Sequence, residues 1–368
     1  MYYKELDTPA LLIDKNIMMD NIISMQNYAN RNQVNLRPHT KTHKMPYIAK
    51  IQEQNGAKGI TVAKVGEAEV MAANGLTDIF IANEIVGEEK FKRIRALAES
   101  IQISFGLDSV AQAEMIEKSF EGSPKRAEVL IEIEVGENRS GIIEEQDFFN
   151  LLEYLKSCKN ISFKGVFSHE GHTYSSNSKE ECLEMFMKSQ KRTLHFANLA
   201  EENGLKCTVV STGATPSLMH DFDILPGITE IRPGTYIFMD ASQGNHIGTY
   251  NHCAASILTT VISRPTSVRV ITDVGAKGIT TQTRSKGLCT TKGLGVIKGF
   301  DNVNISEVFD EHAIIYDKTF HDAVAVGDKV EIIPNHICPV VNLHEQAYLL
   351  DNGEIVETIP VLCRGKLK

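Results

Sequence analysis

The sequence predicts an α/β protein that consists of a (β/α)8 TIM-type barrel over residues 14–240 and a C-terminal β domain over residues 241–368. Three observations predict this fold. Strand-like apolar runs alternate with helical patterns over about 225 residues, which is the size of a closed parallel barrel. No glycine-rich G-x-G-x-x-G turn follows these runs, which disfavours an open dinucleotide-binding sheet. Helical periodicity then fades after residue 240, which indicates a second unit built mainly of strands.

The barrel prediction depends on eight strand-like runs in order along the chain. Asp14 can cap a first helix whose apolar positions share one face, and the first strand follows that helix. Helical stretches such as EEKFKRIRALAES separate many of the runs, as expected of repeated strand-helix units. The eight runs are VNLRPHT, GITVA, DIFIAN, IQISFGLD, AEVLIEIEV, FKGVFSH, CTVVSTG and ITEIRPG.

The β domain is predicted from strand-like segments that turns such as DNG connect. These segments are ASILTTVISRPTSVRVITDVG, VGDKVEIIP and QAYLLDNGEIVETIPVL. Near the start of the chain, TPALLID is also strand-like and lies before the first barrel helix. Residues 1–13 therefore have two interpretations, a strand that joins the barrel or a strand contributed to the β domain.

The composition favours a globular protein with a small-molecule substrate. The 368 residues carry a formal net charge of -9 and no long basic block, so we expect no nucleic-acid partner. The seven scattered cysteines suit a reducing cytoplasm better than a disulfide framework. We expect no signal peptide and no contact with a membrane, because no apolar run approaches the roughly 18 residues that a membrane span needs.

The segment LRPHTKTHK places His39 and Lys41 at the end of the first predicted strand, where barrel enzymes carry catalytic groups. Desolvation at a barrel mouth lowers the pKa of a lysine, so that its neutral amine can form a Schiff base with an aldehyde cofactor. The alternative interpretation of this segment alone is a solvated basic loop.

Five segments together resemble the D-serine dehydratase and D-threonine aldolase family, a branch of the alanine-racemase-like, fold-type III enzymes. They span nearly the whole chain and are LDTPALLID, RPHTKTHK, STGATPS, EIRPGTYIFMD and PNHICPVVNL. The resemblance implies pyridoxal 5'-phosphate as cofactor, with Lys41 as the Schiff-base residue and Lys44 as the second choice. It also implies a head-to-tail homodimer.

Glycine-containing turns after the seventh and eighth predicted strands are candidates for holding the cofactor phosphate, because such turns expose backbone amides to an anion. Taken singly, each is an ordinary glycine turn. The family resemblance adds Tyr236 as a tyrosine beside the cofactor. The candidates in the two turns are Gly213, Ala214, Thr215, Gly234 and Thr235.

Two further segments supply candidates for contact with the cofactor ring or the substrate. VGENRSG resembles the arginine-containing turn of alanine racemases, which implies a role for Arg139. SHEGHTY follows the sixth predicted strand, and the resemblance suggests His169 or Tyr174 against the cofactor. For His172, a buried structural histidine is an equally good interpretation. The predicted catalytic set is Lys41, His39, Arg139 and Tyr174.

PNHICP places His336 and Cys338 two residues apart, so that both side chains would leave the same face of a strand and could share a metal ion. A thiolate with an imidazole suits zinc, and two protein ligands leave positions for water and substrate. The alternative is a half-buried strand with an inert cysteine. We do not expect the nearby His344 or Glu345 to be ligands.

These features predict a zinc-dependent elimination on a D-hydroxy amino acid, with a keto acid and ammonia as products. Three alternatives stay open. The same site could break the Cα–Cβ bond, as in D-threonine aldolase, or it could racemise an amino acid. The protein could also bind the cofactor without catalysis, although the additional β domain and its metal pair argue against storage alone.

Overall fold

A computed structural model describes all 368 residues. The strands, in chain order, are β1 (Ala10–Asp14), β2 (Asn35–Leu36), β3 (Ile60–Val62), β4 (Asp78–Glu84), β5 (Gln102–Leu107), β6 (Ala127–Ile133), β7 (Ile161–Ser168), β8 (Val209–Thr212), β9 (Glu230–Ile231), β10 (Ala255–Ser263), β11 (Arg269–Thr272), β12 (Gly295–Ile297), β13 (Phe300–Asn304), β14 (Glu307–Val308), β15 (Ala313–Tyr316), β16 (Lys329–Pro334), β17 (Gln346–Asp351) and β18 (Glu354–Pro360).

The helices connect these strands and thin out towards the C-terminus. They are α1 (Lys15–Arg31), α2 (Pro46–Gln54), α3 (Val65–Ala73), α4 (Glu88–Ala98), α5 (Val110–Ser119), α6 (Glu145–Ser157), α7 (Lys179–Glu202), α8 (Thr215–Leu218), α9 (Ala241–Ile247), α10 (Lys318–Ala323) and α11 (Ile337–Val341). None of them combines the length and the apolar character that crossing a membrane requires.

The eight strands β2 to β9 form the predicted barrel. All neighbours are parallel, in the order β2-β9-β8-β7-β6-β5-β4-β3. The gap between β2 and β3 is bridged because His39 pairs with Thr61 and the Thr61 amide donates to Pro38 O at 2.9 Å. All eight predicted strands are therefore confirmed, and their carboxyl ends meet at one mouth of the barrel.

Helix α1 forms where the sequence predicts it. The Asp14 carboxylate accepts a hydrogen bond from the amide of Ile17 at 3.0 Å and so caps the helix. Met18, Ile22 and Met25 recur at three- and four-residue spacing and are all buried. The helix therefore presents one apolar face to the barrel.

The second sheet contains the remaining strands and includes β1. Its main order is β13-β12-β16-β10-β1-β17-β18, with β11, β14 and β15 on a branch from β10. Leu11 pairs with Ile257 of β10 and with Ala347 of β17, so the TPALLID segment belongs to this sheet and not to the barrel. One cluster of 77 buried apolar residues extends through both sheets, which holds the second sheet against the barrel.

Candidate active site

A cavity of about 460 Å³ lies at the mouth of the barrel, where the carboxyl ends of the strands meet. Loops after β2, β6, β7, β8 and β9 line it on one side, and residues of the second unit near 282–284 and 336–338 line it on the other. The structure brings together every predicted site residue except Tyr236. Separate parts of the chain therefore build one site between the two units.

Lys41 lies on the loop after β2 and faces this cavity without a salt-bridge partner. Burial is the largest influence on its pKa and lowers it, and the nearby Arg139 guanidinium lowers it further, although Cys338 acts in the opposite direction. A lowered pKa enlarges the fraction of neutral, nucleophilic amine. The Lys41 side chain therefore has the character that capture of an aldehyde needs.

Lys44, the second choice, does not line the cavity. Its ammonium lies 2.5 Å from the Glu67 carboxylate, and both side chains are almost fully buried. This ion pair directs the Lys44 side chain towards Glu67 and away from the cavity. The structure therefore favours Lys41 between the two lysines.

The turn after β8 does not offer the two backbone amides that were expected to bind the cofactor phosphate. The amides of Gly213 and Ala214 donate to the buried Glu170 carboxylate at 3.0 and 2.7 Å, so these two groups are not free to bind a phosphate. Gly213 itself is needed because its φ is +138° and a Cβ would approach the Arg232 amide to 2.7 Å. Next to it, the Thr215 hydroxyl is buried without a partner, which leaves it available to a ligand.

Gly234 opens the turn after β9 and provides a second cradle. A Cβ at this position would lie 3.0 Å from Thr42 Oγ1 and 3.2 Å from His39 Cβ, so a larger residue would close the cavity here. The short 3-10 turn Thr235–Ile237 follows. Because the first amides of such a turn have no acceptor within it, they are free for an anion.

Tyr236 does not fit its predicted role. Its ring is buried, it lines no part of the cavity, and its hydroxyl accepts a hydrogen bond from Gln52 Nε2 at 2.8 Å. Successive side chains in a 3-10 turn are about 120° apart, so Tyr236 points away from the cavity that its neighbour Thr235 lines. Tyr236 is therefore a packing residue behind the site.

His39 and His169 are neutral imidazoles in the cavity wall. Burial lowers the pKa of each well below its ordinary value, and the Lys41 charge lowers it further. His169 Nδ1 donates to the Gly213 carbonyl at 3.0 Å, which leaves Nε2 without the proton. The Lys41 amide donates to His39 Nδ1 at 3.4 Å, so the neutral His39 ring carries its proton on Nε2. Within the site His169 can therefore accept a hydrogen bond and His39 can donate one.

Arg139 and Tyr174 both line the cavity. The Arg139 guanidinium is half exposed and lies 3.3 Å from the Glu137 carboxylate and 3.7 Å from that of Glu132. The Tyr174 ring stacks beneath the Arg284 guanidinium, 4.1 Å from the ring centroid. Burial raises the pKa of Tyr174, so its hydroxyl keeps its proton and can donate.

His336 and Cys338 meet in the cavity, but not on a strand. His336 is the N-cap residue of α11, so the predicted strand is wrong and a helix start brings the two side chains together. Burial alone would raise the pKa of Cys338, whereas His336, Thr42 and Lys41 together lower it to about 7. His336 Nδ1 donates to Gln282 Oε1 at 3.0 Å, which leaves Nε2 as the free nitrogen. A thiolate and an imidazole of this kind are a soft donor pair.

Several polar residues of the site escaped the sequence analysis. Glu170 directly follows the predicted run FKGVFSH, and Arg232 lies within the predicted run ITEIRPG, directly after the observed strand β9. A search for charges near every strand end would have found both. Gln282 and Arg284 come from a loop of the second unit that no local pattern connects with the barrel. The residues missed are Glu137, Glu170, Arg232, Gln282 and Arg284.

Comparison with known proteins agrees with this architecture. Residues 13–242 match the family model of the alanine racemase N-terminal domain, and residues 254–350 match that of a putative serine dehydratase domain. A D-threonine aldolase from Arthrobacter sp. is 30% identical over 98% of this chain and 93% of its own. A D-threo-3-hydroxyaspartate dehydratase from Delftia sp. is 31% identical over 90% of this chain and 91% of its own.

The structural match is equally extensive. A solved structure of a D-threo-3-hydroxyaspartate dehydratase superposes with a TM-score of 0.91 at 26% identity and covers 98% of both chains. That structure is described as a cysteine-to-alanine mutant in the metal-free form. Since one family model covers more than half of the chain and the fold agrees throughout, the chain belongs to the D-serine dehydratase and D-threonine aldolase family of alanine-racemase-like, fold-type III enzymes.

Proposed function

We propose that the protein is a lyase that uses pyridoxal 5'-phosphate and zinc to eliminate water from a D-hydroxy amino acid, with a keto acid and ammonia as products. The observation that carries the proposal is one shared cavity: the unpaired Lys41 amine faces the same space as the His336–Cys338 pair. An amine that binds an aldehyde and a soft metal pair are the two elements that such an elimination needs.

The cavity fits pyridoxal 5'-phosphate on three counts. Lys41 has a lowered pKa and no salt bridge, Thr215 has a buried hydroxyl without a partner, and Gly234 leaves room that a Cβ would fill. We assign the covalent attachment to Lys41 and the phosphate to the Thr215 hydroxyl and the amides around Gly234 and Thr235. His169, Tyr174 and Arg139 are the candidates beside the ring. When bound, the cofactor withdraws electrons from the substrate Cα and makes its proton removable.

In this proposal Lys41 is also the base. As a free amine, Lys41 would accept a proton from the substrate Cα through Nζ, since burial lowers its pKa and enlarges the uncharged fraction. Arg232 is fully buried on the cavity floor, where it donates to the Ser168 carbonyl at 2.7 Å. It supplies a fixed positive charge that does not depend on Lys41.

His336 and Cys338 fit zinc by their donor chemistry. Cys338 has a pKa of about 7 and is readily ionised, and the hydrogen bond from His336 Nδ1 to Gln282 orients Nε2 for a metal. Two protein ligands leave positions for the substrate hydroxyl and water. When bound there, zinc acts as a Lewis acid that stabilises the departing hydroxyl oxygen. The metal-free form described for the dehydratase relative supports a metal at this place.

A second candidate is a retro-aldol cleavage at the same site, since the Arthrobacter relative is named a D-threonine aldolase. The soft thiolate favours zinc and elimination, whereas harder oxygen ligands favour magnesium or manganese. D-threonine separates the two reactions. We expect 2-oxobutyrate and ammonia, while glycine and acetaldehyde would establish the aldolase.

The direct test is Lys41→Ala. We expect the absorbance of the lysine-bound cofactor and the turnover of D-hydroxy amino acids to disappear, because no other cavity lysine can replace it. Lys58→Ala is the matched control, since Lys58 lies at the opposite end of the barrel. Borohydride reduction of the wild-type protein followed by peptide mass spectrometry should locate the cofactor on Lys41. Full activity in Lys41→Ala would reject the proposal.

A cytoplasmic homodimer is part of the same proposal. The family resemblance supports the dimer, and seven cysteines without a disulfide suit a reducing compartment. Light scattering of the cofactor-loaded protein should give twice the mass of the chain. A monomer mass in the presence of full activity would remove the dimer from the proposal.

A further inference from the structure

Three residues outside the active-site cavity form a compact cluster of metal-ligand type. Cys182 lies in α7, His220 follows α8, and His246 lies in α9. Their ligand atoms are all within 4.8 Å of one another, and the Nε2 atoms of the two imidazoles are 2.8 Å apart. None of the three lines the cavity that contains Lys41.

The cluster is buried in a way that leaves its polar atoms short of partners. Cys182 is 0% and His246 4% exposed, while His220 is half-buried. His246 Nδ1 is buried without a hydrogen-bond partner. The two imidazoles face each other through Nε2, so only one of these nitrogens can carry a proton and the other can only accept. Two ring nitrogens and a thiol sulfur therefore converge on one point, and a metal ion would replace the proton that the two rings share.

We infer that Cys182, His220 and His246 bind a zinc ion that is separate from the proposed catalytic one. One thiolate and two imidazoles are a tetrahedral zinc donor set, with the fourth position open to water. Nitrogens that bind one tetrahedral zinc at about 2.1 Å are roughly 3.4 Å apart, so the observed 2.8 Å needs only small rotations of the rings. The inference does not depend on the proposed function, since it rests on other residues.

Burial raises the pKa of the Cys182 thiol to about 11, so the metal-free protein holds it as a thiol and a bound zinc would displace its proton. Cys182 lies in the second turn of the 24-residue helix α7, whose N-cap Ser178 accepts from the Glu181 amide. The positive end of a helix dipole stabilises a thiolate nearby. This feature supplies part of the charge compensation that a zinc ion then completes.

A metal bound by this cluster has a structural role, because the cluster lies next to the active-site wall. Helix α8 has only four residues, yet it directly follows Ala214 and contains Thr215 of the active-site wall. A helix of that length is not stable by itself. A metal that joins the end of α8 to α7 and to α9 would fix the turn after β8 and the chain that leads into the second sheet. Loss of this metal should loosen the wall without removing a catalytic group.

The test uses cobalt(II) as the probe, because a cobalt–thiolate bond gives an intense near-ultraviolet band. The starting protein is the double variant His336→Ala/Cys338→Ala, which removes the other thiolate donor. After chelation and addition of cobalt, we expect this band and about one tightly bound metal per chain. Adding Cys182→Ser should abolish the band, and adding His220→Asn should weaken cobalt binding.

Cys207→Ser is the control, because Cys207 is a half-buried cysteine outside the cluster whose thiol donates to the Ala197 carbonyl at 3.7 Å. It should leave the band unchanged. Circular dichroism checks that each variant is folded, and His220→Asn decides the question if Cys182→Ser does not fold, since His220 is the most exposed ligand. Absence of the band in the double variant, or its persistence in Cys182→Ser, would overturn the inference.

Discussion

The two ends of the barrel treat buried charge in opposite ways. At the amino end, a pocket of about 200 Å³ contains Arg37, whose guanidinium lies 2.7 Å from both the Asp78 and the Glu230 carboxylates. At the carboxyl end, Lys41 has no such partner, and Arg232 makes hydrogen bonds only to uncharged groups. Arg37 is paired with carboxylates, whereas Lys41 and Arg232 have no carboxylate partner; Arg139, 3.3 Å from Glu137, is an exception at the carboxyl end. In barrels, the first end serves stability and the second serves function.

The pKa shifts express the same contrast. Burial alone would lower the pKa of Arg37, but Glu230 and Asp78 raise it above its ordinary value. Burial also lowers the pKa of Lys41, and here the neighbouring charges do not restore it. Burial therefore acts against the charged form of both side chains. The Glu230 and Asp78 carboxylates outweigh it for Arg37, whereas Lys41 has no salt-bridge partner that does so. Substitutions at the two ends should separate stability from activity.

Cys338→Ala should give the largest effect. We expect turnover to fall by about 10³- to 10⁴-fold with the cofactor still bound, because Lewis-acid stabilisation is worth several kcal/mol and 1.4 kcal/mol is a factor of ten. Steady-state kinetics with D-serine and D-threonine, together with metal analysis, would measure it. Cys207→Ser should keep the activity of the wild-type protein. A Cys338→Ala protein that loses its metal and still turns over within tenfold of wild type would show that the metal has no part in the reaction.

Arg37→Met tests the amino end. Removing the Arg37 guanidinium leaves the Asp78 and Glu230 carboxylates without a compensating charge. This should lower the free energy of unfolding by about 3–5 kcal/mol. The activity of each folded molecule should remain unchanged, since Arg37 does not line the active-site cavity. Urea unfolding and activity measured per bound cofactor check the two statements. The variant Arg37→Met/Glu230→Gln should recover part of the loss, and equal stability of both variants would speak against an electrostatic cause.

The same comparison shows which features of the structure could be predicted from the sequence. Local periodicity predicts the eight barrel strands and α1, because each element has its own pattern of buried and exposed residues. The motif around Lys41, taken with the family resemblance, selects the lysine that lines the cavity. The role expected for the Gly213 amide fails, since its partner Glu170 is 43 positions away and no local pattern connects the two. Contacts across the barrel mouth are long-range, and residue spacing does not contain them.

His336 and Cys338 both line the cavity, although the strand predicted for them is wrong. A strand and a helix start can both bring residues two apart to one side, and the short segment contains too little periodicity to separate the two. Tyr236 illustrates the reverse. The motif around it does form a cavity wall at Gly234 and Thr235, but the turn directs the tyrosine ring into the core.

Glu170→Gln tests the support of the carboxyl end. The Glu170 carboxylate accepts from the amides of Gly213 and Ala214 and from the hydroxyls of Thr212 and Ser217. An amide has one acceptor oxygen, so one pair of these donors would lose its partner. We expect cofactor affinity to fall by about 10- to 100-fold, as for other residues that orient ligand-binding groups. Titration of the cofactor-free protein measures it. Glu180→Gln, at an exposed position of α7, should change nothing.

Glu84→Gln should give the smallest effect. The variant removes one of two neighbouring carboxyl groups, Glu84 and Glu132, at the carboxyl end of the barrel. Burial, followed by the neighbouring Glu132 carboxylate, raises the pKa of Glu84 from 4.5 to about 9, and Glu84 Oε1 has no hydrogen-bond partner. Between these two values the folded protein retains a proton that the unfolded chain has lost. Stability attributable to this group is therefore present in full below about pH 4.5 and declines as the pH rises through about 9.

A glutamine imitates the protonated carboxyl group but cannot ionise. Melting temperatures of Glu84→Gln should therefore decline less than those of the wild-type protein between about pH 6 and pH 9. Glu99→Gln, at an exposed position, should leave the profile unchanged. Parallel profiles for wild type and Glu84→Gln would mean that Glu84 is ionised in the folded protein. The Arg139 guanidinium, 3.7 Å from the Glu132 carboxylate, would then be the compensating cation. The contrast between the two ends would in that case apply only to Lys41 and Arg232.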